Sequence, residues 1–132
     1  ERWLDAGYGS CVLRQMECAK IVDEALRHFD RLRLLLISSV VMPNHVHALL
    51  IQNAEHPLED LLHSWKSFSS QAINRLVGRS GTLWQRSYFD RLVRDEKHFR
   101  NCVRYIRRNP EKAHLSAGEY ILYESDVAKA IA

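Results

Sequence analysis

The sequence predicts an α+β fold, a small antiparallel sheet flanked by helices. Two apolar, strand-like segments follow each other in mid-chain with only Pro43 and Asn44 between them. Segments before and after them carry apolar residues at helical spacing. The strands and helices do not alternate as regular βα units, so helices laid on one or both faces of a small sheet are the arrangement that buries every apolar stripe.

Residues 17–29 place Cys18, Ile21, Val22, Ala25, Leu26 and Phe29 on one face of an amphipathic helix. Residues 32–41 are a dense aliphatic run, short enough for a strand buried on both faces. After Pro43 and Asn44 a second strand runs from His45 to about Ile51. Residues 57–77 form the longest helix, with Pro57 suited to its first turn and Gly78 just past its end. A turn at residues 78–81 leads into an extended arm, Leu83 to Val93, that ends in a strand around Tyr88 to Val93. Asp95 is a good N-cap for a helix to about Arg108, with Phe99, Cys102, Val103 and Ile106 as its core stripe. Pro110 disfavours helical geometry at Asn109, so the helix is expected to end there. Residues 117–132 read as a turn, a short extended piece and a final helix from Ser125.

The 132 residues, 46% apolar and 27% charged, suit one domain spanning 1–132 and are too apolar for a disordered chain. No apolar run approaches the roughly 20 residues of a membrane span, so no membrane partner is expected. Three cysteines, Cys11, Cys18 and Cys102, match neither a zinc knuckle nor a redox pair and read as reduced thiols. With no secretory signal in view, the expected location is the cytoplasm.

Charge is unevenly spread. The net charge is only +3, yet Arg75 to Lys112 holds eleven basic residues against four acidic ones. Most are Arg, whose guanidinium fork suits phosphate. Trp84, Tyr88, Phe89 and Tyr105 interleave with them, offering flat faces to unstacked bases, the combination that single-stranded nucleic acid requires. A solvated, ion-paired helix face is the plainer reading of the same run.

His45-Val46-His47 is the most informative short motif. Residues two apart on a strand share a face, so two imidazoles stand side by side while Val46 enters the opposite side. This geometry makes a metal-ligand pair, although an isolated H-x-H is weak evidence. On the helix after Asp95, Tyr105 lies roughly 120° from the centre of the core stripe at about 100° per residue. Asn109 falls one turn further along that flank, and Asn101 and His98 on the turns before it. Tyr105 and Asn109 can therefore approach one site, while a rim tyrosine and a polar C-cap fit the same positions equally well.

Four ordered blocks then carry a resemblance: residues 40–50 (VVMPNHVHALL), 81–90 (GTLWQRSYFD), 94–99 (RDEKHF) and 105–110 (YIRRNP). Together they resemble the IS200-like, single-tyrosine HUH transposases, and within them the REP-associated tyrosine transposases. The resemblance implies an HUH endonuclease, ferredoxin-like architecture, with the tyrosine helix packed across the metal face. It implies His45, His47 and Asn109 as ligands of Mg²⁺ or Mn²⁺, and Tyr105 as the nucleophile. It implies DNA contacts in the block of Trp84, Gln85 and Arg86, with Arg91, Arg94, Arg104 and Arg108 as further basic contacts. The implied activity is cleavage and rejoining of single-stranded DNA at a hairpin, of REP-like or transposon-end sequence, through a 5′-phosphotyrosine intermediate, by a monomer or homodimer. Such proteins begin with an apolar strand upstream of the position of Glu1. None is read here, so the first strand is expected to be absent and the chain N-terminally truncated.

Rival readings are fewer. An amidohydrolase also uses H-x-H, but its barrel needs about 250 residues. A relaxase or replication initiator is longer and often carries a second tyrosine close to the first. A domesticated, non-catalytic DNA-binding protein on the same scaffold is the alternative, against which stands the presence of both histidines, Tyr105 and Asn109.

Overall fold

The computed structural model describes residues 2–8, 15–28, 30, 34–52, 55, 57–78, 80–81 and 84–132, with side chains at all of them except 2–8 and 85–91. The elements in chain order are β1 (Arg2–Tyr8), α1 (Met16–His28), β2 (Leu34–Val41), β3 (His45–Gln52), α2 (Leu58–Val77), β4 (Trp84–Leu92), α3 (Glu96–Lys112), β5 (Ile121–Glu124) and α4 (Asp126–Lys129). The strands make one sheet in the order β4-β1-β3-β2-β5, antiparallel at every pairing.

One expectation is overturned at once: the first strand is present. β1 lies inside the sheet, between β3 and β4, with Asp5 opposite His47 and Ala6 opposite Val46 in register. Backbone bonds to neighbours on both sides hold this strand despite its interruption by Asp5 and Gly7, which weakens the apolar signal.

The alternation of β3 divides the molecule into two layers. Val46, Ala48 and Leu50 join α1 and α2 in one apolar cluster around Trp65, Val22 and Ile73. Leu49 joins Cys102, Val103 and Ile106 of α3 and Ala128 of α4 in a second cluster on the other face. A bulge at Ile37 and Ser38 in β2 resets the register, so that Val40 stands opposite His47 and Val41 opposite Val46. The β2–β3 turn is closed by the Met42 N–H donating to the His45 carbonyl at 2.8 Å. The face carrying His47 is therefore the one that α3 covers.

α2 ends as expected, with Gly78 left-handed at φ 70° and its N–H donating to the Asn74 carbonyl. α3 begins as expected, the Asp95 carboxylate accepting from the His98 N–H at 2.8 Å. Its end is a second correction: the helix runs through Pro110 to Lys112. Pro110 lacks a donor, but the next turn is closed by the Ala113 N–H to the Asn109 carbonyl and the Leu115 N–H to the Pro110 carbonyl, and the buried ring adds packing. These bonds, with His114 N–H to the Glu111 carbonyl, form a Schellman cap whose left-handed position is His114 at φ 57°, a place that favours glycine. His114→Gly is expected to stabilise the fold by about 0.5–1 kcal/mol, raising Tm by a few degrees in a thermal melt.

A buried acid sits on α1. Asp23 is 6% exposed; its Oδ2 lies 3.1 Å from Arg27 Nε, while Oδ1 has no hydrogen-bond partner. Burial raises its carboxyl above the usual range, against the opposing pull of Arg27. The folded state thus binds this proton more tightly than the unfolded one, so the group's contribution to stability falls as pH rises from the unfolded value near 3.9 through the folded one. Asp23→Asn is expected to exceed the wild type in stability near pH 7, with the gain shrinking toward pH 3.5 in urea titrations.

Of the expected thiols, Cys18 and Cys102 are buried, and Cys11 lies outside the described residues. No helix among the described residues is long and apolar enough to cross a membrane.

Candidate active site

His45 and His47 come from the first turn of β3 and project from the same face, as a two-residue period requires. Their rings are stacked, 7° from parallel with centroids 6.1 Å apart. His47 is 5% exposed, whereas His45 is half-buried at the lip. Asn44 adds a detail that the sequence reading missed. Its Oδ1 lies 2.8 Å from His45 Nδ1, a contact that suits the tautomer with the proton on Nδ1 and Nε2 open to an ion.

α3 supplies the opposite wall. With Cys102, Val103 and Ile106 in the cluster beneath, Tyr105 is left on the flank at 43% exposure. Its ring meets that of His47 edge to face, at 86° with 5.7 Å between centroids. Asn109 follows one turn later, 9% exposed. Because the helix continues past it, Asn109 is not a C-cap; its side chain leaves a helical turn on the flank that bears Tyr105. On the outer side of Tyr105, Lys112 Nζ stands 5.5 Å from the ring centroid. The early stop expected at Asn109 hid Lys112 from the sequence reading.

These residues are a reasonable match to a divalent cation. Two imidazoles plus an amide oxygen offer a nitrogen-and-oxygen donor set without thiolate, which leaves coordination positions for other oxygens. Among the described residues no group of three or more His, Cys, Asp or Glu is placed to hold an ion, so within them a third donor beside the two histidines would be of another kind, such as the Asn109 amide.

One of the expected DNA contacts is corrected. Trp84 is 5% exposed and packs on Trp65 with centroids 4.6 Å apart, its Nε1–H donating to Ser69 Oγ at 2.9 Å. It is a core residue of the layer opposite the site, not a platform for bases. Arg104 donates to the Ala132 carbonyl at 2.9 Å and to Asn101 Oδ1 at 3.3 Å. Arg94 and Arg108 are exposed. Gln85, Arg86 and Arg91 lie on β4, an edge strand, and their side chains are outside those described. His98 is buried, its Nδ1 accepting from the Arg94 N–H at 3.0 Å, and serves the entry of α3.

Solved structures with this architecture include a REP-associated tyrosine transposase bound to a REP hairpin. It is 19% identical, with a TM-score of 0.69 over 87% of this chain and 68% of that one. A transposase candidate from Deinococcus radiodurans R1 is 21% identical, with a TM-score of 0.56 over 88% of this chain and 92% of that one. The fold is therefore that of a tyrosine transposase. No curated protein matches the chain in sequence. The chain itself belongs to the IS200-like transposase family, whose description, Transposase IS200 like, matches residues 12–109.

Proposed function

We propose that the protein is a metal-dependent endonuclease and strand transferase acting on single-stranded DNA at hairpin-containing sites. The observation that carries this reading is the edge-to-face contact of Tyr105 with His47, which sets a phenol beside a paired-histidine strand. His45, His47 and Asn109 would hold Mg²⁺ or Mn²⁺, which when bound supplies Lewis-acid polarisation of a phosphate oxygen. Tyr105 Oη attacks the scissile phosphorus and loses its proton to solvent. The new O–P bond forms as the bond to the 3′ oxygen breaks, and that oxygen takes up a proton. The product is a 5′-phosphotyrosine and a free 3′-hydroxyl. Because the phosphoester is retained, a 3′-hydroxyl of another strand reverses the exchange without ATP.

Arg94 and Arg108 are exposed cations for the DNA backbone, and Gln85, Arg86 and Arg91 are sequence candidates beside them. A hairpin-bearing substrate is supported by the REP hairpin seen on the protein of like fold. The test is to incubate the protein with Mn²⁺ and a labelled pool of hairpin oligonucleotides with randomised flanks, then separate it on a denaturing gel. A labelled adduct at the mass of protein plus DNA is expected; its absence across the pool would overturn the reading.

A further inference from the structure

We infer that Lys112 is a further catalytic residue, whose ammonium grips the scissile phosphodiester against Tyr105. This rests on Tyr105 being the nucleophile. The cations of α3 separate by use. Arg100 pairs with Glu96 at 2.9 Å, Arg104 holds the Ala132 carbonyl, and Arg107 is spent on Glu124 at 2.9 Å and on the carbonyls of Ala128 and Ile131. Arg108 and Lys112, three and seven residues after Tyr105, are exposed, and neither has a carboxylate within ion-pair distance among the described residues.

Lys112 is distinguished from Arg108 by its contact with the tyrosine ring. A lysine at the end of a helix leans toward the preceding turns, which brings its ammonium back over residue 105. The Tyr105 ring thus meets both His47 and a cation. A phosphate meeting the phenol oxygen comes within reach of an N–H donor from Lys112. No bond to Lys112 forms or breaks: the ammonium donates to a non-bridging oxygen and offsets the charge that builds on it as the O–P bond forms. Lys112 lies beyond residues 12–109, the part that the family description matches.

The test uses an oligonucleotide recovered as an adduct from the randomised hairpin pool, resynthesised with either the native phosphodiester or a methylphosphonate at the cut. On the native linkage, Lys112→Met is expected to slow single-turnover adduct formation about 100-fold. On the neutral linkage, which has lost one charged oxygen, the same variant is expected within about threefold of the wild type. A native-linkage rate within threefold of wild type, or equal slowing on both linkages, would overturn the assignment, since a lysine that merely braces the ring is blind to phosphate charge. Should the neutral linkage be inert even to the wild type, Lys112→Arg against Lys112→Gln decides. Arg alone holding the rate within tenfold is expected, and equal loss in both overturns it. If the wild type forms no adduct with any oligonucleotide, the nucleophile reading itself fails and this assignment falls with it. An adduct with wild type and Lys112→Met alike removes Lys112 only.

Discussion

Tyr105→Phe is expected to abolish the covalent adduct, a loss of at least about 10⁴-fold in cleavage, while leaving affinity for a hairpin oligonucleotide within about fivefold. The two readouts separate because one oxygen is removed and little else. The ring of Tyr105 is held by its edge contact with His47 and by Lys112, and phenylalanine preserves both surfaces. A nucleophile cannot be replaced by its neighbours here, since no other tyrosine lies on α3. Adduct formation on the denaturing gel reports the chemistry, and fluorescence anisotropy with the same labelled strand reports binding. Undiminished cleavage by the phenylalanine variant would remove Tyr105 from the reaction.

Loss of a histidine is the second large effect. His47→Ala is expected to lower Mn²⁺-dependent cleavage by at least about 100-fold and to weaken Mn²⁺ binding measured by calorimetry in the absence of DNA. His47 is the more demanding position because it is both a candidate ligand and the surface against which Tyr105 stands. His45→Ala removes a candidate ligand from the lip without touching that surface, so its effect should fall on Mn²⁺ affinity and be partly recovered at high Mn²⁺. Unchanged Mn²⁺ binding in both variants, or full cleavage in EDTA, would contradict the metal assignment. Asn44→Ala belongs to the same series, with a smaller, tautomer-related loss of about 10-fold.

Much of this site is legible in the sequence because its geometry follows from local periods. A two-residue repeat puts His45 and His47 on one face, and a 3.6-residue repeat puts Tyr105 and Asn109 on one flank. What the sequence hid were effects of tertiary setting. β1 carries Asp5 and Gly7 and lacks a dense apolar run, yet it is stabilised by strands on either side. Trp84 sits in a basic, aromatic-rich stretch that looks made for stacking on bases, but the cavity beside Trp65 and the hydroxyl of Ser69 claim it. Pro110 obeys a local rule that one further turn, closed by Leu115, overrides. For β1 and Trp84 a partner distant in sequence decided the outcome.

The unequal division of the apolar interior has a consequence for how the protein comes apart. Among the described residues the cluster beneath α3 and α4 is the smaller of the two, while α1, α2 with Trp65, and Trp84 of β4 anchor the other face. Segments that bury less apolar surface open at lower free energy than the rest. Amide hydrogens of the tyrosine-bearing helix should therefore exchange with deuterium ahead of those of the longer helix behind the sheet. On heating, competence for chemistry would be lost at a temperature at which the opposite half is still protected.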